Sequence, residues 1–574
     1  MTPETFCQHF ATFAEAPNGV AKLRELILQL AVQGKLLPQD ANDEPAATLL
    51  KRVRQARNKT NGRPEKLRGI YQQQAKLPGG WEWFQLNELG EFCGGGTPSM
   101  RQSEYWNGKI PWVSPKDMKV SHITSSELRF TDAALKGTRI RLIPRKSILV
   151  VARSGILKRT LPVAINEVEC TVNQDLKVLI PFLPELSEYI RLMLRGHESM
   201  ILATLIKGGV TVQSLKYEEF EIQPFPFPPI AEQRRIVEKV DQLLGQCDEL
   251  AARQAARREA RSALVGATLD RLVSARSSAE FPAHAHRLRD NFDRLFDTPT
   301  TIPQLRQAIL QLAVQGQLVP QDPNDEPASV LITRIVAQKA QLIRDKNIRN
   351  SNSHTSRDAG AETDVLPNGW SWVTLDAITE IGTGGPPPTG TKEYYKDGTI
   401  PWVTSSATNS EFIVQPQQFI TQDAVDACGL KIYPAGSLVV ALYGQGKTRG
   451  QVGQLMFDST SNQACAGIRF FGDGLKVRDY VRLVFRKKYH ELRALAAGGA
   501  QPNLNGGMIR LMRVPLPPLA EQKRIVSKVT ELLSLCDALE AKVMQAESSS
   551  TQILSAAVHH LLESTMKFTN EALT

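Results

Sequence analysis

Apolar side chains at positions 23, 26, 27, 30 and 31 share one helical face. Gly34 stands where a helix C-terminal glycine is expected, and Pro38 follows four residues on. Residues 46–57 carry a second helical pattern. The β-branched runs 147–152 and 437–442, behind Pro144 and Pro434, predict short strands. Residues 189–194 and 480–485 read as helix starts. The longest pattern is C-terminal: Ile525, Val529, Leu532, Cys536, Leu539, Val543, Ala546, Ser550, Ile553 and Ala557 alternate in steps of four and three. That spacing predicts a heptad seam. Ile236, Val240, Leu243, Cys247 and Leu250 begin the same seam earlier in the chain. It then meets Gln254, Arg257 and Arg261, where it shifts or ends. A helix over about 520–563 would be ~66 Å long at 1.5 Å per residue. Two such helices are expected to pack antiparallel and hold two globular centres apart.

The patterns occur twice because the chain repeats itself. Residues 23–47 and 305–329 agree at 19 of 25 positions, through LQLAVQG and QD-x-NDEPA. LPGGWEW at 77–83 matches LPNGWSW at 366–372, and GKIPWV at 108–113 matches GTIPWV at 398–403. Residues 228–250 and 517–539 agree at 15 of 23 positions. Between these blocks the copies diverge, leaving scattered matches such as Asn173-Gln174 with Asn462-Gln463. Uniform drift after duplication would not spare the frame alone. One scaffold presenting two different readers would. The centres read as mixed α/β. Residues 51–76, with nine basic residues against Glu65, and the polar run 342–365 read as exposed connectors.

At 574 residues the chain is expected to form three to five domains. Its net charge of +10 favours an anionic partner. Seven cysteines without a C-x-x-C pair exclude a disulfide scaffold and a zinc ribbon. No signal peptide and no 18-residue apolar run are visible, so a cytoplasmic protein is expected. Nine basic residues fall between positions 129 and 159 against the single acid Asp132. A second basic group, Arg482, Arg486, Lys487, Lys488 and Arg493, lies on the helix expected near 480. Both groups suit phosphate contacts.

Catalytic signatures are missing. Gly446-Lys447-Thr448 has Ala441 where a P-loop needs its first glycine. The Pro-Pro pairs at 228–229 and 517–518 follow Phe227 and Leu516, so neither completes the Asn/Asp-Pro-Pro-aromatic tetrapeptide of an adenine methyltransferase. The histidines show no metal spacing, and Cys247 and Cys536 read as core fillers. The Gly-rich strings at 94–99 and 382–386 are either phosphate-cradling turns or tight loops between strands.

PPIAEQRRIVEKV and its copy, the LPxGWxW strings, G-x-I-P-W-V and LQLAVQG together resemble the specificity (S) subunits of type I restriction–modification systems, over essentially the whole chain. The resemblance implies an α/β (α+β) fold: two globular target-recognition domains separated by a pair of long antiparallel coiled-coil helices, with pseudo-two-fold symmetry from the tandem repeat. The expected divisions are a helical frame segment and linker (1–76), recognition domain 1 (77–227), a central helical region (228–345), a flexible linker (346–365), recognition domain 2 (366–516) and a C-terminal spacer helix (517–574). A non-catalytic subunit is implied, with no cofactor or metal in this chain. Expected partners are double-stranded DNA, two methyltransferase (M) subunits with S-adenosylmethionine, and restriction (R) subunits with ATP and Mg, and no membrane. The alternative is a stand-alone DNA-binding or regulatory protein on the same scaffold. The resemblance identifies no base-reading residue, because the centres are where such proteins differ. The DNA-binding candidates are therefore basic and polar residues of the centres: Arg101, Lys116, Arg139, Arg141, Lys146, Arg153, Lys158, Arg159, Lys392, Gln445, Lys447 and Arg449.

Overall fold

The computed structural model describes residues 14–59, 77–209, 212–275, 280–348, 365–444, 447–495 and 503–571. It divides into two compact units, one of Met1–Arg257 with Glu547–Thr574 and one of Arg258–Ala546. In the first unit, helix α1 (Gly19–Val32) ends on Gly34 at a φ of +67°, a conformation that side chains with a Cβ resist. A Cβ there would also lie 2.6 Å from Pro78 and 3.0 Å from the Trp81 ring. The glycine thus both stops the helix and lets the LPGGW block dock on its end. Helix α2 (Ala46–Lys59) buries Ala46, Leu49 and Val53. The helical pattern read at 46–57 is thus a helix that runs on to Lys59 into the expected connector, and 60–76 lie outside the described residues.

The first centre is built on a five-stranded sheet in the order Gly90–Gly94, Leu176–Pro181, Ile148–Val151, Val163–Asn166, His122–Ile123. Only the last pair is parallel. Ile148–Val151 is central and buried at every position, as a β-branched run between two covered faces should be. Helix α3 (Ser187–Gly196) packs on it. A three-stranded sheet of Leu128–Phe130, Trp106–Val113 and Thr171–Val172 takes its middle strand from the GKIPWV block. Glu82–Gln85 pairs antiparallel with Pro224–Phe227, so the chain leaves the domain where it came in. Helix α4 (Ile230–Ser274) then begins.

The second unit contains α5 (Glu280–Asp290), α6 (Ile302–Val314), α7 (Ala328–Arg344), α8 (Arg478–Leu495) and the start of α9 (Leu519–Glu571). Its five-stranded sheet runs Glu380–Thr383, Cys465–Arg469, Leu438–Ala441, Val452–Leu455, Phe412–Ile413, again with only the last pair parallel. The ribbon of Ser371–Thr374 and Arg513–Leu516 closes it as in the first unit. The two centres thus share a five-stranded sheet topology that their residues no longer show, and the first adds a three-stranded sheet of Ile206–Lys207, Gln213–Leu215 and Arg153–Ser154. Leu342 and Ile343 pack on the core and Ile348 is buried, so the connector read from position 342 begins later. Residues 349–364 lie outside the described residues.

The best-matched blocks meet at one joint in each unit. The Trp81 indole N–H donates to a Glu232 carboxylate oxygen at 3.0 Å, and Trp370 to Glu521 at 3.0 Å. One turn further along each spacer helix, Arg235 pairs with Asp43 and Arg524 with Asp325. Gln233 and Gln522 donate to the carbonyls of Pro228 and Pro517. Burial pushes the Glu232 carboxyl above the usual carboxylate range, against the opposing pull of its Trp81 and Gln39 hydrogen bonds. Glu521 is raised for the same reason. These contacts explain why LPxGWxW, QD-x-NDEPA and AEQ-x-R repeat so closely: three distant blocks build one buried polar junction.

The seam departs from the heptad expectation. Ile236, Val240, Cys247, Ile525, Val529 and Cys536 are buried as expected, and Leu250, Leu532 and Leu539 pack partly on the cores. Leu243, however, yields to Leu244 against the core, and Leu532 to the more deeply buried Leu533. Further on, Ala546 is exposed, Ile553 is 58% exposed and Leu554 is fully buried. A straight helix with 3.6 residues per turn drifts about 20° per heptad from a 3.5 repeat, so the buried stripe slips by one position. In the first copy the seam does not end at the polar residues. Gln254 donates to the Ala14 carbonyl at 2.9 Å and Arg257 pairs with Glu15 at 2.6 Å, while Arg261 pairs with Asp297 in the second unit. Val265, Leu269 and Leu272 then resume the buried face.

The two long helices pass through the units in opposite order. α4 lies in the first unit up to Arg257 and in the second from Arg258; α9 lies in the second up to Ala546 and in the first from Glu547. Within the first unit, Leu23 and Leu26 of α1, Cys247 of α4, and Leu554, Ala557 and Val558 of α9 form one cluster. Leu305, Val265 and Cys536 belong to one core in the second unit. Arg24 pairs with Asp248 at 2.5 Å, as Arg306 does with Asp537 at 2.6 Å. Each such buried leucine contributes about 1.5–3 kcal/mol. Cys247 and Cys536 are buried fillers, their thiols held protonated by desolvation.

Candidate nucleic-acid interface

One turn organises the variable loops of each centre. In the first, the Asn173 N–H donates to the Val113 carbonyl at 2.9 Å, its side-chain oxygen accepts the Asp175 N–H at 3.1 Å, and the Asp175 carbonyl accepts the N–H groups of Ala152 and Arg153 at 2.8 and 3.1 Å. Gly96 donates to Val172 at 3.0 Å, and the Trp112 indole donates to Gly96 at 3.0 Å. The segments that begin at Gly95, Ser114 and Arg153 therefore all rise from around Asn173-Gln174. The second centre repeats this. Asn462 donates to Val403 at 3.0 Å, Leu442 to Ala464 at 2.8 Å, Gly385 to Ser461 at 2.9 Å, and Trp402 to Gly385 at 3.3 Å.

The Gly-rich strings are tight loops. A Cβ on Gly95 would stand 1.8 Å from the Val172 carbonyl oxygen, and one on Gly384 would stand 1.9 Å from that of Ser461. The N–H groups of Gly96 and Gly385 are already spent on those carbonyls, so they do not cradle a phosphate.

Several candidate cations lie on the loops of this rim. Arg101 follows the Gly-rich loop, Lys116 lies in the turn after GKIPWV, and Arg153, Lys158 and Arg159 lie on the third segment; all are exposed. Arg139 is exposed too, next to Ile140, which packs on Gly96. Arg101, Lys116, Arg139, Lys158 and Arg159 have no carboxylate partner among the described residues, and Arg153 has only Asp175 at 3.9 Å. Arg141 is engaged by Glu91 at 2.6 and 3.3 Å. Lys146 sits at the other end of the strand that leads to Arg153, paired with Glu167 at 2.8 Å. That corner also gathers His122 and Glu188, but Lys146 and Arg191 already answer its carboxylates, which makes it an ion-pair network.

In the second centre Lys392 and Lys447 are exposed, Arg449 is half-buried, and Gln445 lies outside the described residues. The basic helix α8 turns much of its charge inward. Arg482 is 8% exposed, donates to Gln454 at 2.7 Å and lies 4.5 Å over the Phe412 ring. Arg486 pairs with Glu411 at 3.1 Å and Lys487 with Glu491 at 2.6 Å. Composition counted these as phosphate contacts, but Arg482 and Arg486 are engaged at the sheet and its edge and Lys487 is held along its own helix.

The family model described as type I restriction modification DNA specificity domain matches residues 78–257 and again 367–546. The chain belongs to that family. Its role is that of the specificity, or DNA-recognition, subunit of a type I restriction–modification system. The EcoEI specificity subunit of Escherichia coli is 28% identical over 567 residues, 94% of this chain and 93% of its own. The EcoAI specificity subunit of the same organism is 28% identical over 569 residues, with the same coverage. A chain in a solved structure concerned with complex assembly and conformational transition of the type I R-M system aligns over 85% of this chain and 99% of its own, at 16% identity and a TM-score of 0.46. Among the described residues no helix is long and apolar enough to cross a membrane.

In this specificity subunit the sequence-based list leaves out Gln174 and Gln463, the exposed residues at the tips of the organising turns. The sequence marks them through the Asn-Gln match, one of the scattered matches between the centres.

Proposed function

We propose that each centre reads one half of a split, asymmetric double-stranded DNA target. The frame around them docks two M subunits, which bind S-adenosylmethionine and methylate adenine, and through them R subunits that use ATP and Mg. The chain itself supplies recognition and no catalysis, acting in the cytoplasm. The observation that supports this reading most is the contrast between the units: one topology and one joint, repeated, beneath rims whose loops differ residue by residue. Exposed Arg and Lys on those loops supply counterion release on DNA, and base edges in the major groove supply discrimination.

Replacing residues 77–225 by the equivalent segment of a relative is expected to change one half-site and leave the other, as read by methylome sequencing. A change in both halves would defeat the modular reading. Purified chain alone is expected to transfer no methyl group from S-adenosylmethionine. Matched four-residue insertions after Leu250 and Leu539 add ~6 Å of helix. They are expected to lengthen the unspecified gap by about two base pairs at 3.4 Å each. An unchanged gap with full activity would place the ruler in the M subunits instead.

A further inference from the structure

Each organising turn carries an asparagine and a glutamine, and the fold accounts for only the first. Asn173 is buried, and its side chain and backbone both build the turn. The Asn462 side-chain oxygen likewise accepts the Ala464 N–H at 3.1 Å. Gln174 and Gln463 are exposed. Gln463 makes no hydrogen bond among the described residues, and the Gln174 side chain makes one, accepting from the Thr97 hydroxyl. Neither amide bonds within its own turn; the Gln174 contact is to Thr97 of the neighbouring Gly-rich loop. An exposed side chain kept identical in two centres whose surroundings differ has a shared task outside the fold. The amide offers one donor and one acceptor side by side, the complement of adenine N7 and N6–H₂ in the major groove.

We propose that Gln174 and Gln463 are equivalent specificity-determining residues, each pairing its amide with the major-groove edge of an adenine in its own half-site. This rests on the reading of each centre as a half-site reader. The three surrounding segments then carry the phosphate contacts and the contacts that differ between half-sites. The Thr97 hydroxyl uses one lone pair of the Gln174 oxygen. That fixes which way the amide faces and leaves the second lone pair for N6–H and the NH₂ for N7. The second centre has Pro386 at the place of Thr97, so the Gln463 amide is not held in this way.

The test uses the full chain assembled with its M subunits and a duplex library carrying every single-base change in the target. Gln174→Ala is expected to lower the preference for adenine at one position of one half-site by about 5- to 150-fold, with the other half-site untouched. Gln463→Ala is expected to do the same at the matching position of the other half. Gln174→Glu, which keeps the shape and loses the donor, is expected to move the preference at that position toward cytosine. Thr97→Val is expected to weaken the adenine preference in the first half-site alone. Equal loss of affinity for all sequences, or unaltered preferences in both alanine variants, would overturn the inference. A parent complex that yields no two-part target would instead overturn the half-site reading beneath it.

Discussion

Glu232 accepts the Trp81 indole N–H at 3.0 Å across 151 residues of chain, and so ties the opening of the first domain to the first turn of α4. Its pKa is raised by burial from an ordinary 4.5. For a carboxyl raised by folding, the stabilisation is complete below the unfolded value and is lost as pH rises through the folded one. Glu232→Gln, and Glu521→Gln in the second unit, are therefore expected to flatten the decline of melting temperature above about pH 4.5. An unchanged slope in the double variant would contradict this. Trp81→Phe leaves the carboxylate without its buried donor and is expected to cost about 1–3 kcal/mol.

Gly95→Ala and Gly384→Ala each place a carbon inside the radius of a backbone carbonyl oxygen. The strand must shift, because backbone cannot step aside as a side-chain tip does. Each substitution is expected to destabilise its own unit by about 3 kcal/mol or more, measured by denaturant unfolding. Wild-type stability in either variant would show that the loops are looser than described.

Exposed and engaged arginines are expected to separate in DNA titrations. Lys116→Ala and Arg159→Ala should weaken binding about equally for all sequences and reduce the salt slope by about 1 each. Arg141→Ala, whose guanidinium is held by Glu91, should change the slope much less. If Arg141 matched the other two, the Glu91 pair would have to open on DNA.

The one-position slip of the seam has a direct readout. Leu554→Ala is expected to cost about 2–5 kcal/mol through the cavity it leaves. Ile553→Ala should stay within about 0.5 kcal/mol. The reverse order would restore the heptad register.

Much of this was legible in the chain, and the gaps have identifiable causes. Ile148–Val151 was visible as a strand because its burial is local and continuous. The phase of the seam was not, since leucines at both 243 and 244, and at both 532 and 533, satisfy either period over a short window. The blocks around Trp81, Asp43 and Glu232 announced a frame, but periodicity cannot show that three segments meet at one carboxylate. Charge was read least well. The inward face of α8 and the Glu91 partner of Arg141 are set by tertiary packing, which neither composition nor spacing encodes.

The four-residue ribbons that close each domain have an evolutionary consequence. Because Glu82–Gln85 lies against Pro224–Phe227, and Ser371–Thr374 against Arg513–Leu516, each reader hangs from the frame by adjacent ends. A genetic exchange with its crossovers in the well-matched flanking blocks would swap the whole reader without disturbing the junction below it. A lineage could thereby acquire a new address in a single event and retain the enzymes that act there.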